Sequence, residues 1–129
     1  MDLEQVKFNL CSWDETVRKN AVKVAGDSGM TQMLPLLELA RHDSDANVRL
    51  QIVYALMNIG GDKVLPLLEK MLDDKNATIC LEVIRALKYI GGIKVIPLLE
   101  MATNHPIKHI RYEARSAMNH IHHSLPKNP

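Results

Sequence analysis

A chain of 129 residues has the length of one domain and can bury a sizeable core. Apolar residues make up 47% and aromatic residues only 4%, so the core is aliphatic, which suits packed helices and argues against an aromatic-rich β-sandwich. The formal charge of +1 hides an asymmetry, −4 over residues 1–74 and +5 over residues 75–129; such polarity either orients a partner or marks an uneven solvated surface.

No apolar stretch approaches the ~20 residues of a membrane helix. The opening MDLEQVKFNLCS has no basic region followed by an apolar run, so no secretory signal is expected. Cys11 and Cys80 lie 69 positions apart, outside any CxxC or Cys/His ligand spacing. Free thiols in a reducing cytoplasm are the expectation.

Taken in chain order, the first predicted element is a short helix over about 2–10. A longer helix follows from an N-cap at Asp14 to a stop near Gly29; Ser12-Trp-Asp-Glu15 also fits a capping box, which leaves its start open by a turn. The next helix carries Pro35 near its start and buries Met33, Leu36, Leu37 and Ala40. From the cap Asp45 the residues Val48, Ile52, Ala55, Leu56 and Ile59 form one apolar helical stripe, which Gly60 ends with a left-handed residue. The chain then predicts a helix over about 62–73, burying Val64, Leu67, Leu68 and Met71. Another starts at Asn76 and stops at Gly91, and its successor buries Val95, Leu98, Leu99 and Ala102. A last helix covers about 107–122, for roughly eight in all.

These elements repeat at a step of 31 residues. Pro35, Pro66 and Pro97 keep that step, as do Gly29, Gly60 and Gly91, the row Val17, Val48, Ile79 and Ile110, and the row Glu38, Glu69 and Glu100. Period separates this pattern from tetratricopeptide repeats of about 34 residues and ankyrin repeats of about 33. One hairpin cannot bury its apolar face alone, but stacked hairpins share a core. The expected architecture is therefore a single all-α domain with repeats near 13–43, 44–74 and 75–104, partial repeats over 1–12 and 105–122, and a tail over 123–129. Arg115 falls in the row of Val22, Val53 and Ile84, where a further repeat would need an apolar surface, so the stack is expected to end there.

The motif Asp-x-x-Val-Arg, then Ala-Leu-x-x-Ile-Gly-Gly, then Pro-Leu-Leu-Glu is carried most fully by Val48-Arg49, Ala55-Leu56, Ile59-Gly60 and Pro66-Leu67-Leu68. It resembles the short HEAT-like repeat first associated with phycobilisome lyases. That resemblance implies a right-handed α-α superhelix of antiparallel hairpins, with the second helix of each repeat on the inner face. It also implies a non-catalytic scaffold or adaptor role; the alternative is an accessory subunit or chaperone-like component of a bilin lyase-type enzyme. Two departures stand out: Cys80 replaces the motif arginine, and Ser28 replaces the isoleucine before the first glycine.

Helix geometry turns the columns of Pro35, Glu38, Leu39 and His42 away from the core. The expected partner-binding ridge is thus Glu38, Leu39, His42, Glu69, Lys70, Asp73, Glu100, Met101 and Asn104. Its acidic and apolar mixture suits a basic or amphipathic segment of another protein. Helices ~10 Å apart place its glutamates where repulsion in water is only about 0.4 kcal/mol, so plain solvated surface is the competing reading. Glutamate in every full repeat repels phosphate, which argues against nucleic acid. Late histidines offer two-ligand pairs, His109 with Glu113 and His120 with His123, without a third at metal spacing. A related repeat protein, deoxyhypusine hydroxylase, holds iron through His-Glu dipeptides, and this chain has none. With no nucleophile elbow and no P-loop, no catalytic residue, cofactor or metal is expected.

Overall fold

Helix starts in the computed structural model, which describes residues 1–126, keep the 31-residue step without slippage. The short helices are α1 (Leu3–Asn9), α3 (Leu34–Ala40), α5 (Leu65–Met71) and α7 (Ile96–Ala102). The long ones are α2 (Glu15–Asp27), α4 (Ala46–Ile59), α6 (Ala77–Ile90) and α8 (Lys108–Ser124). No strand occurs among the described residues. They form two compact units, Met1–Leu67 and a second that begins at Leu68.

The long helices start where side chains satisfy free amides. Asp14 accepts from the Thr16 amide (2.8 Å), Asp45 from Asn47 (2.7 Å) and Asn76 from Thr78 (2.9 Å). Position 107, next in that row, is Ile107, and α8 has no side-chain cap. Two residues before each of these positions, a side chain closes the approach turn. Ser12 Oγ accepts from the Asp14 amide (3.1 Å), Asp43 Oδ1 from Asp45 (2.9 Å), Asp74 Oδ1 from Asn76 (2.8 Å) and His105 Nδ1 from Ile107 (3.1 Å). Ser12 therefore shapes the turn, and Asp14 is the cap.

The motif arginine seals the same turn. Arg18 Nη1 donates to the carbonyls of Ser12 (2.8 Å) and Trp13 (3.0 Å), Arg49 Nη1 to Asp43 (2.8 Å) and Ser44 (3.3 Å), and Arg111 Nη1 to His105 and Pro106 (2.9 Å each). Cys80 holds this place in its repeat, and its Sγ donates to the carbonyls of Asp74 (3.1 Å) and Leu72 (3.2 Å). Burial, then Asp74 and Asp73, raise the Cys80 thiol pKa. The other departure is likewise local: Ser28 Oγ donates to the Ala25 carbonyl (2.6 Å) and accepts from the Met30 amide (3.2 Å), closing the end of α2. Arg18 additionally forms a two-pronged ion pair with Asp43 (2.8 and 3.2 Å), whose carboxylate hydrogen bond raises the guanidinium pKa.

Several boundaries differ from the sequence expectation. Helices α3, α5 and α7 enter through 3-10 turns, Thr31–Met33, Asp62–Val64 and Ile93–Val95, and their prolines, which lack an N–H, sit in the first α-helical turn that follows. The helix expected over 62–73 thus has its α-helical part at Leu65–Met71 and ends on i to i−3 bonds from the amides of Asp73 to Lys70 and Asp74 to Met71. Gly60 has φ 67° and ψ −174°, a glycine-only conformation but an extended one, not the left-handed helical stop expected. The last helix runs to Ser124, two residues into the expected tail; residues 127–129 of that tail lie outside the described residues.

In the first unit α1 packs on α2, α2 on α4, and α3 on α4, around Val6, Ala21, Val22, Leu37, Ile52 and Leu56. In the second, α8 packs on both α6 and α7 around Leu68, Ile79, Val83, Leu87, Leu99, Ile110 and Ile121. Each buried aliphatic side chain contributes roughly 1.5–3 kcal/mol before entropy is charged against it. Ala40, expected in the core, is only half-buried, as is Val17 in the row of the buried Val48. Val17 lines an outer cleft with Phe8 and Trp13, and Ala40 lines a groove between α1 and α3.

A close approach joins α2 to α4: a Cβ on Gly26 would lie 2.6 Å from the Cα of Ala55 and 2.7 Å from its Cβ. Gly26→Ala is expected to destabilise the protein by about 1–3 kcal/mol, although alanine favours helix by ~1 kcal/mol. A melting temperature equal to or above wild type would refute this close packing. Replacing Arg49, 5% exposed, with methionine strands the carbonyls of Asp43 and Ser44 and should cost about 1–3 kcal/mol in urea denaturation.

A pH effect follows from Glu15 and Asp45. Their shared hydrogen bond, then mutual repulsion, raises the Glu15 pKa; the same bond, then the Asn47 amide, lowers that of Asp45. As pH falls Glu15 is the first of the two to protonate, and its raised pKa means stability present at low pH and lost as pH rises through the Glu15 value. Glu15→Gln should melt higher than wild type at neutral pH, with the gap closing on acidification. Equal melting temperatures throughout would show that the pair does not interact.

Candidate partner-binding surface

The surface expected to bind a partner is built separately in each unit. In the first, α3 places Leu36 and Leu37 in the interior and turns Leu39 outward, 72% exposed. His42, one residue past the cap of α3, is exposed, whereas Glu38 is half-buried. Beside Leu39 a groove of about 350 Å³ runs between α1 and α3, bounded by Lys7, Leu10, Cys11, Leu36, Leu39, Ala40, His42 and Asp43. Its walls are mainly aliphatic, with Lys7 and His42 at the edges, so it can take an apolar side chain flanked by polar groups.

In the second unit, Glu69 and Lys70 on α5 and Glu100 and Met101 on α7 are exposed, Met101 by 51%. Asp73 and Asn104 lie in the turns after those helices, where their amides bond back to the carbonyls of Lys70 (3.4 Å) and Met101 (3.1 Å). Every expected ridge residue except Glu38 is thus fully on the surface. Lys70 and Glu38 both take part in polar contacts of their own.

The row has one member the sequence reading missed. Thirty-one positions before Leu39 lies Phe8 on α1, 79% exposed, with Lys7 in the glutamate row and Cys11 in the His42 row. The same step that found the other members reaches Phe8 from Leu39. Large apolar side chains therefore stand outward at Phe8, Leu39 and Met101, while the acidic row gives way to Lys7 at α1.

The other candidates separate by role. His105 is a turn-closing acceptor through Nδ1, which puts its proton on Nε2. His109, His120, His122 and His123 are exposed on α8. Among the described residues, no three His, Cys, Asp or Glu side chains group as a metal would require. Cys11 is an exposed free thiol and Cys80 a buried one. No described helix is long and apolar enough to cross a membrane.

No curated protein matches the chain. A family model described as HEAT repeats matches residues 8–88 and again residues 33–119. Such repeats generally mediate protein–protein interaction and are typically non-enzymatic scaffolds. With the caps, prolines and turn-sealing arginines recurring in step across these matched residues, the chain belongs to the HEAT repeat family.

Proposed function

We propose that this protein is a non-catalytic adaptor that holds a segment of another protein on the outward side of its short helices. The contacts would come from Glu38, Leu39 and His42 in the first unit and from Glu69, Lys70, Asp73, Glu100, Met101 and Asn104 in the second. The observation that carries this reading is the exposure of Leu39 (72%) and Met101 (51%), each beside a glutamate. A water-facing position of a short helix gains nothing for the fold from a large apolar side chain, and the recurrence of one beside a glutamate in both units supports a contact surface. The groove next to Leu39 supplies a place for an aliphatic side chain. The matching partner segment carries Lys or Arg for the glutamates and aliphatic residues for Leu39 and Met101. Two free thiols suit a reducing compartment, and the cytoplasm is the proposed location.

The charge reversal Glu38→Lys, Glu69→Lys, Glu100→Lys tests the surface against a partner recovered with the wild-type protein and identified by mass spectrometry. Because Glu38 is half-buried, Leu39→Asp with Met101→Asp serves as a second variant. Both should abolish recovery of that partner while each substitution shifts stability by no more than about 0.5 kcal/mol. Undiminished binding by both variants would place the contact elsewhere.

A further inference from the structure

α2 and α4 are successive copies of the same helix, and their contact fixes which side of each faces the other. Glu15 of α2 shares a hydrogen bond with Asp45 at the start of α4. Lys19 and Val48 border one small cleft, and Gly26 lies against Ala55. The side of α2 turned to α4 is therefore the stripe Glu15, Lys19, Val22 and Gly26, at helical spacings of 4, 3 and 4. The side of α4 turned to α2 is the stripe Asp45, Val48, Gln51 and Ala55.

Both stripes recur where they are partly or wholly open to solvent. One 31-residue step before Asp45, Val48, Gln51 and Ala55 lie Asp14, Val17, Asn20 and Val24 of α2. Val48 and Ala55 are buried, whereas Val17 and Val24 are half-buried and Asp14 and Asn20 exposed. Trp13, fully exposed, shares an outer cleft with Val17. In the second unit the counterparts of Glu15, Lys19, Val22 and Gly26 are Lys108, Tyr112, Arg115 and Asn119 of α8. All four are exposed, Tyr112 by 65%. α8 packs on α6 and α7 through its other side, where Ile110, Ala114 and Ala117 are buried.

We propose that the exposed stripe of α8 in one copy of this protein docks on the open stripe of α2 in a second copy, in the register that α2 keeps with α4. That register sets Lys108 against Asp14, Tyr112 on Val17, Arg115 beside Asn20 and Asn119 beside Val24. The first three pairs are matched in kind: an ammonium with a carboxylate, a ring with an aliphatic side chain, and a guanidinium with an amide oxygen. At the leading position, two carboxylates meet in the contact within the chain, and here one of them gives way to lysine. Net charge favours the same pairing, −4 over residues 1–74 and +5 over residues 75–129. A symmetric contact fits less well, because α8 against α8 opposes Lys108 and Arg115 to their own copies and α2 against α2 opposes Asp14 to its own. Since Arg115 ends the apolar residues of its row, the contact is polar and salt-sensitive. Each copy keeps one end free, so association continues past the dimer as concentration rises. The ridge takes no part, and this inference does not depend on it.

Sedimentation velocity over a concentration series at low ionic strength tests it. The wild type should grow past the dimer and return to monomer in about 1 M salt, where the Debye length is only ~3 Å. Two variants each block one end. On α8 these are Lys108→Gln, Tyr112→Ala and Arg115→Gln; on α2 they are Asp14→Asn and Asn20→Arg, where asparagine keeps the cap as Asn76 does. Each variant alone should associate at least about tenfold more weakly than the wild type. Mixed, they should form dimers and nothing larger, because each supplies the end that the other lacks. Trp13, the one tryptophan, should shift its emission to the blue as the wild type associates. Circular dichroism should show the same helix content in all three proteins; should the α2 variant melt lower, Asn20→Arg alone carries the same expectation. The proposal is overturned if the wild type stays monomeric, if either variant associates as the wild type does, or if the mixture remains monomeric. Association that only one of the variants loses would mark a symmetric contact, which also overturns it.

Discussion

The turn from each short helix into the next long one is the joint on which these repeats depend. There the chain reverses direction, and the carbonyls at the end of the approach are left without helical donors. A planar guanidinium reaching back from the long helix satisfies two of them at once, as Arg49 does for Asp43 and Ser44. A side chain one step earlier in the turn holds the following amide, and the cap two residues later starts the helix. Three polar residues thus specify direction, start and closure within a few positions. With the turn defined in this way, the apolar rows fall into place at a constant step.

Variation at this joint shows which part of the device is essential. Histidine in place of Asp43 or Asp74 keeps the turn at His105, because an imidazole nitrogen accepts an amide hydrogen as a carboxylate does. Cysteine in place of the arginine also keeps it: the buried Cys80 thiol lies against two carbonyls, although sulfur is a weak donor. The requirement is a donor or acceptor at the right place, and charge is secondary. Such tolerance frees the outward positions to differ between repeats. Glu, Leu, Lys and Met stand on the short helices, and Tyr, Arg and Lys on α6 and α8.

Much of this was legible in the residues, since the period places every helix and the caps Asp14, Asp45 and Asn76 follow from residue type. Phe8 was equally legible, since it lies one 31-residue step before Leu39. Other features were not legible. A proline near a helix start is compatible with an α-helical or a 3-10 entry, and the choice rests on packing. Nothing local distinguishes Gly26, whose lack of a side chain matters only because Ala55 approaches from another helix.

The sequence by itself determined the 31-residue period, the helical class, the caps and the buried rows, because each arises from interactions within about one helical turn or from a spacing repeated three or four times. Only the tertiary structure decided that Val17 and Ala40 border clefts and that Glu38 is half-buried where Glu69 and Glu100 are not. It also decided that His105 and Cys80 serve the turns. Those outcomes depend on which atoms arrive from elsewhere in the chain: a row tells which way a side chain points, and its neighbours determine what it meets there.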